Sequence, residues 1–373
     1  MEKPNLKGLT LKELEQFATS VGEQKYRGRQ LFDWLYAREA ASFAEMTSLS
    51  KPFRAKLEAE ARIDSLKLVE VQTSSEDGTA KYLFQLPDAK QFESVLIPPR
   101  TAFSGADARA GEEQTRMTLC VSTQVGCPLD CKFCATATMG FLRNLSAGEI
   151  IDQVIQVKKI SGKKITNLVY MGMGEPLLNY EHSMNSAEII ANGLNIAAKR
   201  IAISTAGWVP GIRRMADEQR KMKLAVSLHS LDDDSRSELM PVNKRFPLGD
   251  LLDAVSYYYS KTRTRVTFEY ILFDRWNDSD EDIKRLTKLS RTVPCKINII
   301  PFHSIAFTGM DRFAGSLRPT PHSRMTEFVE QLRSAHATVF VRSNSGEDID
   351  AACGQLAVKH ERKSTPAPEQ ILT

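Results

Sequence analysis

Beyond Arg116 the chain alternates short apolar, β-branched runs with helical patterns, and this alternation narrows its possible folds more than any other feature. Six runs read as strands, within MTLCVST, ITNLVYMG, RIAIST, KLAVSLH, RVTFEYILF and CKINIIPF. Segments such as SAGEIIDQVIQVKKI and PLGDLLDAVSYYYSK lie between them, with apolar residues at helical spacing. A strand, a helix and a further strand imply a parallel sheet, because parallel neighbours need a long crossover and a helix supplies it. Curled on itself, such a sheet is an open (β/α)6 barrel, a partial TIM-type barrel of the α/β class, with its site at the C-terminal strand ends. The pattern assigns residues 116–342 to this barrel.

The preceding residues have other periods. Residues 1–63 read as a helical domain: Thr10 caps a helix carrying Leu11, Leu14, Phe17 and Val21, and RGRQLFDWLYAR forms a second with Leu31, Trp34 and Leu35 on one face. A third helix after Pro52 holds Phe53 and Leu57. Arg27, Arg29 and Arg38 face outward, either as a solvated surface or as a contact for a polyanion. From Leu66 the period becomes two, and LKLVEVQT, TAKYLFQL and QFESVLIP read as a short antiparallel hairpin sheet. A polar stretch, Arg100 to Gln114, completes a segment 64–115 as a flexible insertion. Residues 343–373 form a polar loop around Cys353 and a tail of low order.

No run approaches ~20 uninterrupted apolar residues, and MEKPNLKGLTLKEL lacks a secretory apolar core, so the expectation is a cytoplasmic protein without a membrane partner. In a reducing compartment cysteines serve as free thiols, metal ligands or catalytic groups. Four of the chain's six cysteines fall between Cys120 and Cys134. Cys127, Cys131 and Cys134 are spaced CxxxCxxC just after the first barrel strand. Three thiolates on such a loop can hold three irons of a [4Fe-4S] cubane and leave the fourth open to an outside ligand. Cys120 added to them would make four thiolates, enough for a structural zinc. After the second barrel strand stands MGMGEPLLN, where Gly172 and Gly174 permit close backbone approach and Glu175 can accept hydrogen bonds from an ammonium. Cys295, among Ile297 and Ile299, reads as structural, and Tyr257, Tyr258 and Tyr259 read largely as packing.

The cysteine spacing together with MGMGEP resembles the radical S-adenosylmethionine (SAM) superfamily. The ordered set QVGCPLDCKFCATATMGFLRNL, MGMGEPLLN, ISTAG, SLH and DIDAACGQLA resembles more narrowly the adenine-C2 RNA methyltransferases of 23S ribosomal RNA and transfer RNA. The resemblance runs from the helical unit to Cys353. It implies a radical enzyme with a [4Fe-4S] cluster on Cys127, Cys131 and Cys134, two SAM molecules per turnover, and an RNA-binding role for residues 1–63. Its substrates would be an adenosine of 23S rRNA and an anticodon-loop adenosine of tRNA; its other partner would be an electron donor such as flavodoxin, and the chain would act as a monomer. Carbon 2 of adenine is electron-poor and its C–H bond is not acidic, so a radical carbon already placed on the protein is a workable methyl donor.

The resemblance also distributes roles. Cys353 would accept a methyl group as S-methylcysteine, Cys120 would resolve the protein–RNA adduct through a transient disulfide, and Glu93 would accept the proton. SAM would meet Gly174, Glu175, Ser204, Ser227, Leu228 and His229, with Met171 near the reacting groups. The family places an asparagine where this chain has His303, so that contact departs from its pattern. Two alternatives stay open: C8 methylation of adenine, as in the resistance-conferring relative, and a zinc-stabilised RNA-binding protein without catalysis.

Overall fold

The computed structural model describes residues 3–99, 116–308, 312–342 and 345–358. Arg100, Arg109 and the rest of the expected insertion up to residue 115, as well as the tail from 359, lie outside them. The first three helices are Leu11–Ser20, Tyr26–Phe32 and Lys51–Glu60. Thr10 and Glu13 make a reciprocal capping box. The second helix continues as a π-helical turn, Asp33–Ala37, that periodicity did not reveal. The third begins at Lys51, capped by Ser50, with Pro52 inside its first turn, where a missing N–H costs nothing.

Three antiparallel strands follow, β1 (Lys67–Thr73), β2 (Ala80–Gln85) and β3 (Gln91–Ile97), and then β4 (Thr118–Cys120). A small ribbon of β5 (Gln124–Gly126) and β6 (Phe141–Asn144) flanks the cysteine loop. The remaining strands are β7 (Asn167–Tyr170), β8 (Ile201–Thr205), β9 (Lys223–Ser227), β10 (Val266–Leu272), β11 (Cys295–Pro301) and β12 (Val339–Val341). Helices Ala147–Ser161, Tyr180–Gly193, Val209–Asp217, Leu248–Thr262, Asp280–Thr292 and His322–Ser334 provide the crossovers. Strands β4 and β7 to β11 are the six expected parallel strands. β12 adds a seventh beside β11; three residues, two of them exposed, are too short to show a period.

The hairpin strands do not form a sheet of their own. β3 pairs antiparallel with β4, so one ten-stranded sheet runs β1-β2-β3-β4-β7-β8-β9-β10-β11-β12. The first barrel strand is thereby covered along an edge that would otherwise expose unpaired amides. The helical unit docks on helix Ala147–Ser161 through a buried ion pair, Lys7 Nζ to Asp152 Oδ1 at 2.7 Å, while Leu66 N donates to the other carboxylate oxygen. The backbones touch there: a Cβ on Gly8 would lie 2.4 Å from Gly148 N. Cys295 is buried in β11 and Tyr258 is buried against Met222, as packing residues. Among the described residues no helix is long and apolar enough to cross a membrane.

Candidate active site

The cysteine loop hangs from the end of the first barrel strand and is fixed at both ends. Cys127 N donates to Gly140 O at 2.9 Å, and Lys132 N to Leu239 O at 2.9 Å. Gly126, with φ +73°, lies so close to Gly140 O that a Cβ would be 1.8 Å from it; another residue type would push the ribbon apart. Cys127, Cys131 and Cys134 line one cavity with Met171, Gly174, Glu175, Ser204, Ser227, His229, Glu269, Arg342 and Cys353. The cavity is partly open to solvent, so a ligand can enter it from outside.

Burial pushes all three loop thiols above the ordinary cysteine range. Opposing this, Cys127 sulfur receives the Leu129 amide, Cys134 sulfur receives the Thr136 hydroxyl and amide and the Ala137 amide, and Arg236 faces Cys131. Buried thiols that are neutral alone, yet surrounded by donors and a cation, suit sulfur ligands whose charge is completed by bound metal. The donor set therefore fits a cluster. No three His, Cys, Asp or Glu among the described residues converge closely enough for one metal ion, whereas a cubane spreads its ligands more widely. Cys120, the fourth ligand a zinc would need, faces elsewhere: its neighbours are Cys353, Arg342 and the Met171 amide, and burial first and Cys353 second push its thiol up to about 12.

The ends of β7, β8 and β9 bring residues of MGMGEP, ISTAG and SLH to this cavity. Gly174 has φ +97° and no room for a Cβ beside Gln124. Glu175 reaches from the end of β7 to the end of β8: one oxygen accepts Leu177 N at 3.0 Å and the other Ala206 N at 2.7 Å. Burial, offset by those amides and by the Thr205 hydroxyl, raises its pKa to about 7. His229 sits in the left-handed region at φ +55°. Its Nδ1 accepts Ile271 N at 3.0 Å, so its proton is on Nε2. Burial, reinforced by Arg236, lowers its pKa to about 3, and the ring is a neutral N–H donor.

The Cys353 turn closes on the cysteine loop. Gly354 O accepts Ala135 N at 2.6 Å, and Leu356 O accepts the Thr136 hydroxyl at 2.7 Å. Arg342, just after β12, donates to Met171 Sδ at 3.2 Å and lies 3.7 Å from Glu269 Oε2. Its cation is strengthened most by Cys353, then by Glu269 and Cys120. Glu93 is buried on β3, with Lys81 Nζ 3.4 Å from its Oε1.

Not every residue expected at the site reaches the cavity wall. Glu93 and Cys120 are buried on β3 and β4, Leu228 is fully buried, and His303 is buried with its Nδ1 3.3 Å from Glu347 Oε1 in the C-terminal segment; none of these four lines the cavity. Sequence reasoning missed Arg236, Glu269 and Arg342. Arg236 is fully buried and donates to Leu228 O, Ala206 O, Ser227 O and Asn243 Oδ1, tying the ends of β8 and β9 together. In the sequence it stands in DDDSRSEL, which reads as an ordinary exposed turn of helix.

Comparison with known proteins gives two family matches: Ribosomal RNA large subunit methyltransferase N-terminal domain over residues 4–63, and Radical SAM superfamily over residues 121–287. The chain is 42% identical over 365 residues to the dual-specificity RNA methyltransferase RlmN of Syntrophobacter fumaroxidans, covering 96% of this chain and 100% of that protein. It is 41% identical to the probable dual-specificity RNA methyltransferase RlmN of Christiangramia forsetii, covering 96% and 97% of the two chains. A crystal structure of a radical SAM methyltransferase from Sphaerobacter thermophilus superposes with a TM-score of 0.82 at 40% identity, covering 95% of this chain and 99% of that one.

Proposed function

Because the chain belongs to the RlmN family of dual-specificity RNA methyltransferases within the radical SAM superfamily, we propose that it methylates carbon 2 of an adenine in 23S rRNA and in tRNA. The observation that carries this reading is the closure of the Cys353 turn on the cysteine loop, which puts a fourth thiol into the cavity of the other three. The same cavity is walled by Glu175, Ser204, Ser227 and His229, polar strand-end groups that a four-thiolate structural metal would not call on. When bound, a [4Fe-4S] cluster on Cys127, Cys131 and Cys134 supplies the electron that turns SAM into a carbon-centred radical.

The chain's own residues do the rest. Cys353 takes a methyl group from one SAM, and a second SAM in the same turnover activates that methyl carbon for bonding to adenine C2. Gly174, Glu175, Ser204, Ser227 and His229 hold SAM at the strand ends, with the Nε2–H of His229 as a fixed donor; Leu228 supports them from beneath, and His303 steadies the C-terminal segment. Glu93 accepts the proton leaving C2. Cys120, once deprotonated, attacks the Cys353 sulfur; a Cys120–Cys353 disulfide forms, the sulfur–carbon bond breaks with its electron pair passing to the methylene carbon and into the ring, and that carbon takes up a proton to become the methyl group of the released base. Residues 1–63 provide RNA contacts, a flavodoxin-like protein delivers electrons, and the enzyme works as a cytoplasmic monomer.

The test is anaerobic reconstitution of the full chain followed by turnover on both RNAs. Iron and sulfide near four each per chain and 2-methyladenosine in the digested RNA are expected. One tightly held zinc without iron, or 8-methyladenosine as the main product, would refute the reading.

A further inference from the structure

Strand register gathers three reactive side chains on one face. In the β2–β3 pair Lys81 lies opposite Val95 and Leu83 opposite Glu93, and in the β3–β4 pair Val95 lies opposite Cys120. Cross-strand partners share a face and the pleat has a period of two, so Lys81, Glu93, Val95 and Cys120 project to the same side. Lys81 is buried there, which is unfavourable for an ammonium unless its charge and protons are taken up. Two contacts take them up: Glu93 Oε1 at 3.4 Å, and the carbonyl oxygen of Asp350, three residues before Cys353, at 3.3 Å. The β1–β2 turn grips the same C-terminal segment, since Ser75 N donates to Asp348 Oδ2 and Gly346 N donates to Asp77 Oδ2, both at 3.1 Å. Gly346, at φ +67°, packs so closely that a Cβ would be 2.8 Å from the Thr79 methyl. Of these contacts, that of Lys81 also reaches Glu93.

We propose that Lys81 is a positioning residue, holding the Glu93 carboxylate and the Cys353 turn in fixed relation while the adduct loses its C2 proton. This rests on the reading of Glu93 as the proton acceptor. Two physical requirements meet at one ammonium. A buried carboxylate can accept a proton only if it is ionised, and it stays ionised only beside a compensating charge. The acceptor oxygen must also reach a carbon bonded through a methylene to Cys353 sulfur, so the strand and the turn cannot slide independently. In the step itself the C2–H bond breaks, its electron pair stays with the base, and the proton goes to a Glu93 oxygen. Lys81 keeps its own protons throughout.

The experiment compares Lys81→Met, Lys81→Arg and Glu93→Gln in the reconstituted full-length enzyme. The readouts are iron content, S-methylation of the Cys353 peptide, covalent protein–RNA species and 2-methyladenosine. Lys81→Met is expected to keep its iron and S-methylation and to accumulate the covalent species, while product formation falls by about 10- to 100-fold. Lys81→Arg, which keeps the cation, should recover most of the product. Parent-like turnover of Lys81→Met beside a crippled Glu93→Gln overturns the Lys81 proposal alone. So does loss of S-methylation and iron along with product, the mark of a structural role. Parent-like turnover of Glu93→Gln overturns the Glu93 reading and with it the role given to Lys81.

Discussion

Arg236→Met tests whether the SAM-binding strand ends depend on one buried cation. The substitution keeps most of the side-chain volume and removes four hydrogen bonds, to Leu228 O at 3.1 Å, Asn243 Oδ1 at 2.7 Å, Ala206 O at 2.8 Å and Ser227 O at 3.0 Å. Burial weakens the guanidinium enough to lower its pKa to about 10, so part of what those bonds contribute already offsets desolvation. Allowing about 1 kcal/mol net for each acceptor that loses its charged donor gives a destabilisation of about 3–5 kcal/mol, the range found when one side of a buried charged contact is removed. The thermal midpoint of the variant should fall by roughly 4–6 °C. Because Ala206, Ser227 and Leu228 carry the cavity's strand-end backbone, SAM binding measured calorimetrically should weaken as well. Arg236→Lys should lie between the two, since an ammonium at one point cannot reach all four acceptors. A midpoint within 1–2 °C of the parent, with unchanged SAM affinity, would refute the idea that Arg236 organises these loops.

Other expectations follow from the same contacts. Cys353→Ala should form neither S-methylcysteine nor an RNA adduct, whereas Cys120→Ala should trap protein linked to RNA as a band that survives denaturing electrophoresis and vanishes on nuclease digestion; turnover by either variant would remove that cysteine from the cycle. Cys131→Ala should lose iron and visible absorption while keeping the far-ultraviolet dichroism of the folded chain, because the core extends far beyond the loop. Lys7→Met leaves Asp152 buried without its cation and should cost about 3–5 kcal/mol, read by denaturant titration, with added protease sensitivity between residues 1–63 and the barrel. His229 has a folded pKa of about 3 against an ordinary 6.5, so its contribution is complete above pH 6.5 and is lost as pH falls from there towards 3. The metal-free chain should therefore lose about 2 kcal/mol between pH 7 and pH 5 from this group, and His229→Gln should lose correspondingly less over that interval.

Much of the architecture is local and therefore legible in the sequence. The period of two in β2 and β3, the helical spacing of the crossovers and the capping residues Thr10 and Ser146 are properties of neighbouring residues. So is the order in which the cysteine loop comes after the first barrel strand, MGMGEP after the second and ISTAG at the end of the third, which places them at one end of a parallel sheet. Tertiary structure alone decided what those loops meet. Whether β1 to β3 would stand apart or extend the barrel depended on the pairing of β3 with β4, across a segment whose length says nothing about register. That pairing puts Glu93 and Lys81 on the face of Cys120, while the return of the C-terminal segment brings Arg342 and Cys353 from more than two hundred residues away. Arg236, Lys81 and Glu269 read as surface charges because in a sequence a charged side chain signals solvent. Burial becomes tolerable only when distant carbonyls and counter-charges surround the group, and those partners exist only once the chain has folded.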